Sequence, residues 1–559
     1  MEKKLFSEFD PVPAKAWKQK IQYGLKGKDY NEHVVWESPE GIKVKPFYHA
    51  EDLPKVGSDV TQEQLSRLQR DAETAQEQPS SGNKGAETVQ EKPSLGKRAA
   101  ETTKERPLSQ QGGVITRTKR LSWQVTQEVF VADAARANAK ARDVLQRGAE
   151  SLIFTIPSED VDLGVLLKDI DPGTVPLHFN FRFFNLDYIQ KGMDFAGDSL
   201  GNVHLNLDII AHLACTGNWF YNLEKDFKLL DELLAAHTQG GTMNTIGVDA
   251  SLYQNAGANI VQQLAYALAH ANEYLNRCGK FRNGSGFSED RNTNDRHNAG
   301  GRERSKETSG DLGLITGSLA TEEPNLNEKI TFKIAVGGNY FFEIAKIRAM
   351  RMLWQTLAAE YQVSPRCHIL AVPSKRNKTL YDFNVNLLRS TTECMSAILG
   401  GADSVCNLPY DALYKKSNEF SERIARNQLL ILKKESYFEG REHPAAGAYY
   451  IESLTKQLAE KALLLFKSIE QNGGFLKQLK AQTIQRKIKE SAAKEQHRFD
   501  KGDEILVGTN SFQNAADTMK ENLELYPFVK TKQRKTLIEP IVERRLAEGI
   551  EKERLESNR

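Results

Sequence analysis

Cys406 is a candidate for chemistry because it lies near the end of Ser404 to Asn407, a short run that is typical of a β-strand. A thiol in such a position could act as a nucleophile if nearby basic groups lowered its pKa. No pair of basic residues is adjacent to Cys406, and a buried, unreactive cysteine is the more common arrangement. We therefore interpret Cys406 as a core residue.

The elements around Cys406 are predicted to be a helix, a strand and a second helix. Leu387, Met395 and Ile398 recur at helical spacing before it, and Gly400 and the glycine after it end that pattern. The second helix is predicted to begin between residues 417 and 420.

The same alternation extends over much of the chain. Short β-rich runs, separated by helical stretches, occur at Ser151 to Ile156, Val175 to Phe181, Thr242 to Val248, Ile330 to Gly337, His368 to Val372 and Ser404 to Asn407. This pattern indicates parallel strands joined by crossover helices.

Two segments have too few apolar side chains to form a core. Residues 72–113 contain three imperfect copies of a polar 14-residue unit, and residues 283–310 are rich in Asn, Gly, Ser, Arg and Glu. Such segments cannot bury enough surface to offset the entropy that ordering costs. We predict a disordered repeat insertion at 61–113 and a second disordered insertion at about 283–310.

Composition excludes several functional classes. The 76 Lys and Arg residues nearly balance the 74 Asp and Glu residues, which argues against binding to nucleic acid or to an anionic membrane. The five cysteines are scattered without a CxxC pair, so we expect reduced thiols and no structural metal site. No signal-peptide or membrane-spanning pattern is present, and we expect a cytoplasmic protein.

Several separated motifs resemble the barrel of the adenosylcobalamin-dependent acyl-CoA mutases, the family of methylmalonyl-CoA mutase. They are Arg389-Ser-Thr-Thr-Glu393, Leu399-Gly-Gly-Ala-Asp-Ser404, Phe420-Ser-Glu-Arg-Ile-Ala-Arg-Asn427, Gly447-Ala-Tyr-Tyr-Ile-Glu452 and, near the N-terminus, Leu25-Lys-Gly-Lys-Asp-Tyr30. The resemblance implies an α/β fold, a (β/α)8 TIM-type barrel at 114–465. An N-terminal arm and lead-in loop at 1–60 would precede it, and a helical C-terminal extension at 466–559 would follow, with no cobalamin-binding domain.

The resemblance also indicates where catalytic members carry a tyrosine, an arginine for the substrate carboxylate and a histidine for the thioester carbonyl. Counted without gaps from the motifs, these positions hold Glu128, Val372 and Cys406. Valine cannot pair with a carboxylate, and cysteine is a weak donor. We therefore predict no catalytic residue in this chain, unless a shift in register brings Arg376 to the arginine position.

His297 lies in Asp295-Arg-His-Asn-Ala-Gly300, which matches the D-x-H-x-x-G signature of the family's lower cobalamin ligand. A ligand histidine needs a rigid frame between a strand and a helix. The flanking SEDRNTN and GRERSKETSG show neither a strand nor apolar periodicity. We interpret the match as accidental and predict no cofactor-binding or metal-binding residue.

Within the family, the resemblance is strongest to small, non-catalytic subunits of methylmalonyl-CoA mutase. It implies a large, catalytic partner subunit that holds adenosylcobalamin and interconverts methylmalonyl-CoA and succinyl-CoA. Two alternatives remain open at this point: a catalytic acyl-CoA mutase barrel that uses a separate cobalamin-binding chain, and an acyl-CoA-binding regulatory protein.

The N-terminal arm has more large apolar residues than closing a barrel requires. Aromatic clusters of this kind mark protein interfaces. We predict that the arm contacts the large subunit, although it could instead fold back on its own barrel. The predicted contact residues are Phe6, Phe9, Trp17, Leu25 and Trp36.

Overall fold

The computed structural model describes residues 12–52, 122–194, 201–236, 244–278, 330–361, 363–440, 444–519, 522–530 and 534–557. The repeats at 72–113, the segment with His297, and Phe6 and Phe9 lie outside these residues. The described residues belong to two compact units, one within Met1–Leu121 and Glu439–Gln457, the other within Ser122–Phe438 and Leu458–Arg559.

Eight parallel strands of the second unit close into a barrel, in which each strand pairs with the next one along the chain and the last pairs with the first. The strands are β3 (Gln124–Phe130), β4 (Ser151–Ile156), β5 (Leu177–Phe181), β6 (Val203–Leu207), β7 (Asn244–Asp249), β8 (Thr331–Val336), β9 (His368–Pro373) and β10 (Ser404–Cys406). The predicted α/β fold with a TIM-type barrel is therefore confirmed.

Helices alternate with these strands, as the sequence pattern predicts. They are Ala134–Gln146, Leu163–Leu166, Leu186–Asp194, Ile209–Thr216, Leu223–Ala236, Ser251–Asn255, Ile260–Arg277, Tyr340–Tyr361, Val385–Gly400 and Glu419–Leu430, the last continued by a π-helical turn at Ile431–Glu435.

The helix Val385–Gly400 ends where the paired glycines predict. Gly401 adopts a left-handed conformation with φ of 88°, which favours glycine because it carries no Cβ. A Cβ on Gly400 would lie 2.8 Å from the Cβ of Ile347 on the helix Tyr340–Tyr361. The two helices can therefore pack at close range.

The C-terminal extension is only partly helical. The helices Tyr449–Gln471, Phe475–Lys480, Thr483–Lys501 and Glu548–Ser557 agree with the prediction, but the described residues between 503 and 547 form turns and extended segments. Side chains elsewhere in the second unit, which we call the barrel unit, hydrogen-bond to this stretch. Asn255 donates to the carboxylate of Glu543 (2.9 Å), and Gln485 donates to the backbone carbonyl of Glu539 (2.9 Å). Specific tertiary hydrogen bonds replace helical ones there.

The unit at the N-terminus contains the helices Ala14–Gly24 and Tyr30–Val34 and an antiparallel pair, β1 (Trp36–Glu37) and β2 (Lys43–Val44). Asp29 caps the second helix by accepting from the backbone N–H groups of Asn31 (2.7 Å) and Glu32 (3.0 Å). The first helix has no buried residue. Burial of side chains within this chain therefore contributes little to the stability of the helix Ala14–Gly24.

None of the helices in the described part of the chain combines the length and apolar character needed to span a membrane.

Candidate functional site

The carboxyl end of the barrel, where active sites of this fold lie, carries charged and polar side chains from neighbouring strands. On one side, Glu128 of β3 accepts a hydrogen bond from the hydroxyl of Thr155 (2.7 Å), which in turn lies 3.5 Å from the amide nitrogen of Asn180. On the other side, Lys333 of β8 donates to Asp249 of β7 (2.9 Å). We call these five residues the mouth of the barrel.

Electrostatic pairing keeps Lys333 and Asp249 charged. Burial alone would lower the pKa of Lys333, but attraction to Asp249 and then to Glu128 raises it above its ordinary value. Burial alone would likewise raise the pKa of Asp249, but Lys333 and the Ser251 hydroxyl lower it below its usual range. The side chains of the pair keep about a third of their exposure (34% and 36%), so solvent reaches the mouth.

A small, mainly apolar cluster lies beside these polar groups inside the barrel. Ile153, Leu370 and Cys406 form a buried cluster, and Val372 packs against it. Burial and then the neighbouring Glu128 raise the pKa of the Cys406 thiol to about 12. Cys406 is therefore a protonated core residue at neutral pH, as its sequence context indicates.

The structure thus brings Glu128, Val372 and Cys406, the three positions identified from the sequence, into the interior of one barrel. They lie on β3, β9 and β10. A carboxylate, an isopropyl group and a buried thiol do not offer the bidentate donor that a substrate carboxylate requires.

Arg376 does not fill the arginine position. It is buried, its guanidinium pairs with Glu495, and it donates to the carbonyl oxygen of Arg544 (2.7 Å). Its charge therefore anchors the C-terminal extension to the segment that follows β9.

Sequence reasoning missed Lys333 and Asp249. A signal was available, because Lys333 interrupts the apolar run of β8 and Asp249 ends the run of β7. A charge inside a buried strand requires a partner. The sequence alone does not pair these two residues, since 83 other residues separate them.

A buried hydrogen-bond network around Asp208 lies next to the mouth. One carboxylate oxygen of Asp208 accepts from His270 (2.9 Å) and from the Tyr274 hydroxyl (2.8 Å), and the other accepts from the backbone N–H of Asp249 (2.7 Å). His270 in turn lies 2.9 Å from the Tyr253 hydroxyl. The network links the helix Ile260–Arg277 to the end of β7 and positions Asp249.

The described residues do not offer a frame for adenosylcobalamin. All their parallel strands belong to the barrel, so they include no second parallel sheet on which a lower-ligand histidine would be held. The segment Asp295 to Gly300 lies outside them. We derive no chemical step through the cofactor.

Comparison with known proteins agrees with the fold and the motifs. The methylmalonyl-CoA mutase family profile matches residues 191–282 and 319–554, more than half of the chain. The methylmalonyl-CoA mutase small subunit of Porphyromonas gingivalis is 31% identical over 543 residues, which cover 93% of this chain and 73% of that protein.

Other relatives carry related names. A methylmalonyl-CoA mutase of Cereibacter sphaeroides is 27% identical over 91% of this chain and 66% of its own length. The large subunit from P. gingivalis is 26% identical over 57% of this chain and 40% of its own length. The family profile and the extended similarity to the P. gingivalis small subunit lead to one conclusion: this chain belongs to the methylmalonyl-CoA mutase family.

Proposed function

We propose that this chain is the non-catalytic small subunit of a heterodimeric methylmalonyl-CoA mutase. Its large partner subunit would hold adenosylcobalamin and interconvert methylmalonyl-CoA and succinyl-CoA. The extended similarity to the P. gingivalis small subunit supports the assignment, and the P. gingivalis large subunit shows that both subunit types occur in one organism. We further propose that the complex is cytoplasmic and that the chain has the domain limits given above.

The observation that carries this proposal is the packed interior of the barrel. Ile153 of β4 packs against Leu370 of β9 and Cys406 of β10, so buried side chains meet across the barrel axis, as in barrels whose interior is a core and not a channel. An acyl chain on this axis would have to displace buried side chains, which counts against an acyl-CoA-binding regulator.

The charges at the mouth count against the catalytic alternative. Glu128 and Asp249 would repel a substrate carboxylate, and the ammonium group of Lys333 is already engaged by Asp249. A catalytic site for a dicarboxylic thioester would need a cation available to the ligand. We therefore assign the chemistry to the partner.

The arm supplies a candidate contact surface for that partner. Trp17 and Trp36 are 51% and 49% exposed, and Leu25 is partly exposed. The ring of Trp17 lies 6.2 Å from that of the partly buried Phe47. Large aromatic side chains of this kind dominate the energetics of protein interfaces.

Activity measurements test the catalytic assignment. The chain alone and its complex with the large subunit are supplied with adenosylcobalamin and methylmalonyl-CoA, and the formation of succinyl-CoA is followed. We expect turnover only in the complex. Succinyl-CoA formation by the isolated chain would contradict the proposal.

A paired substitution sharpens this test. Lys333→Met combined with Asp249→Asn removes both charges of this ion pair, so neither partner is left charged without the other. In the intact heterodimer, we expect kcat to change less than about twofold, whereas loss of a group that stabilises a transition state costs about a hundredfold or more. A loss of that size, with the heterodimer intact, would place chemistry in this barrel.

Binding measurements test the arm. Trp17→Ala combined with Trp36→Ala should weaken the association with the large subunit at least tenfold, because buried aromatic anchors each contribute more than about 1 kcal/mol. Tyr23→Ala is the matched control, since Tyr23 is an exposed aromatic (82%) on the same helix but about 240° around it from Trp17. Equal affinities for the wild type and the double variant would exclude these residues as main contacts.

A further inference from the structure

Three histidines meet in the barrel, near the amino ends of their strands. His178 lies on β5 and His204 on the adjacent β6, whereas His368 reaches them from β9, across the barrel. The ring centroids of His178 and His204 are 4.2 Å apart, and that of His368 lies 5.1 Å and 4.3 Å from them. One ring nitrogen from each histidine lies within 4.8 Å of the others.

The cluster is largely shielded from water. His178 is fully buried and His204 nearly so, and His368 is partly buried. Burial, with repulsion from His368, lowers the pKa of His178 well below its ordinary value.

One atom of the cluster lacks the partner that burial demands. Nε2 of His178 is buried and has no hydrogen-bond partner, although an unsatisfied buried polar atom costs about 1 to 3 kcal/mol. Native structures contain few such atoms, and an ion is one of the reasons for those that occur.

The neighbouring Asn206 has a second unsatisfied atom. Its Oδ1 is buried without a partner, and its Nδ2 lies 3.5 Å from Nδ1 of His178. Turning this amide by half a revolution would let Oδ1 accept a hydrogen bond from Nδ1 of His178, in exchange for the present bond from Nδ2 to the carbonyl oxygen of Phe179 (3.3 Å). The proton would then be on Nδ1, and the lone pair of Nε2 would be available to an ion.

Hydroxyl groups orient the other two rings. Nδ1 of His204 lies 2.9 Å from the Thr331 hydroxyl, and Nε2 of His368 lies 3.0 Å from the Ser404 hydroxyl. Nε2 of His204 lies 3.5 Å from the amide nitrogen of Asn244, a contact that an ion bound to this atom would replace. Metal-binding histidines typically hydrogen-bond through the ring nitrogen that does not bind the metal, which fixes the tautomer.

The backbone of β6 is irregular next to this cluster. The pairing of β6 with β7 shifts in register between His204 and Leu207, and Asn206 adopts a positive φ of 48°. A Cβ on Gly247 of β7 would lie 2.8 Å from the Cα of Asn206, so glycine permits this approach. Irregularities of this kind redirect side chains.

From this geometry we propose that His178, His204 and His368 bind one divalent transition-metal ion inside the barrel, with Zn²⁺ as the favoured ion. Imidazole suits Zn²⁺, Cu²⁺ and Ni²⁺, and three histidines with an open fourth position form a known zinc arrangement. Ligand nitrogens around tetrahedral zinc lie about 3.3 Å apart, so the three rings would draw together by up to about 1.5 Å. The ion would link β5, β6 and β9.

Metal analysis of the full-length chain tests the site. The protein is stripped with a chelator, reloaded with Zn²⁺, desalted, and its metal content is measured by mass spectrometry. We expect about one zinc per chain for the wild type and less than a tenth of that for the triple variant His178→Gln, His204→Gln, His368→Gln. His497→Gln, which changes an exposed histidine on the helix Thr483–Lys501, should retain the full content.

A measurement on the wild type alone keeps the test decisive if the triple variant does not fold. Co²⁺ in the stripped wild type should give the visible absorption of a tetrahedral ion, and added Zn²⁺ should abolish it and raise the Tm. Absence of that absorption, or zinc content in the wild type no higher than in a folded triple variant, would overturn the proposal. The histidines would then be a packing layer only.

Discussion

In the barrel, Phe332, Phe342 and Trp354 are at most 1% exposed, whereas Trp17 and Trp36 of the N-terminal arm keep about half of their surface in water. Burial of a large aromatic side chain stabilises a fold by several kcal/mol, and the barrel residues contribute this within the chain. Trp17 and Trp36 could gain about half of that contribution by further burial. This difference indicates that the barrel folds on its own contacts and that the arm is suited to contacts with another protein.

The two regions also differ in how deeply their ion pairs are buried. In the barrel unit, Lys378 and Glu393 form an ion pair 2.7 Å apart with side chains only 2% and 0% exposed. In the arm, the ion pair of Lys45 with Asp52 leaves the lysine side chain 49% exposed. Buried charges depend on their partners, whereas exposed pairs contribute little. Substitutions in the two regions should therefore differ widely in their effect on stability.

The largest effect is expected at the buried ion pair. Lys378→Met leaves Glu393 buried without its cation, and we expect the free energy of unfolding to fall by about 3 to 5 kcal/mol in chemical denaturation. The control Lys378→Met with Glu393→Leu removes both charges and should recover much of that loss. A single variant that loses less than about 1 kcal/mol would show that the barrel unit tolerates unpaired charge.

An intermediate and pH-dependent effect is expected at Glu470. Burial and then repulsion from Glu273 raise its pKa to about 7 from an ordinary value of 4.5. The folded chain therefore holds this proton more tightly than the unfolded chain, so the stabilisation is complete below about pH 4.5 and is lost as the pH rises through 7. Glu470→Gln, which resembles the protonated form, should stabilise the protein on the order of 1 kcal/mol at pH 8 and little at pH 4.5.

Thermal unfolding between pH 4.5 and 8 measures this dependence. Glu553→Gln, at an exposed position near the C-terminus, is the control and should leave the pH profile unchanged. If Glu470→Gln altered the Tm equally at both pH values, protonation of Glu470 would not be the cause.

The smallest effect on stability is expected in the arm. Trp17→Ala should change the free energy of unfolding by less than about 0.5 kcal/mol, because the helix Ala14–Gly24 has no buried residue. Denaturant unfolding of the isolated chain measures this. A loss above about 1 kcal/mol would mean that the arm stabilises its own chain, and the contrast between the regions would fail.

Local patterns predicted much of the barrel. Six of its strands were identified as β-rich runs, and the end of the helix Val385–Gly400 followed from its glycines, because apolar periodicity and glycine conformation are local properties. The strand Gln124–Phe130 was not among these runs, and neither was Val203–Leu207. Its inward residues His204 and Asn206 are polar, so it lacks the apolar run that signals a buried strand.

By itself, the sequence determined the family, the alternation of strands and helices, and the placement of Cys406 at the end of a strand. Only the tertiary structure decided which distant residues meet: Lys333 with Asp249, Arg376 with Glu495, and the three histidines from β5, β6 and β9. The physical reason is that periodicity reports which face of an element is buried, whereas barrel closure and strand register determine which buried side chains come into contact.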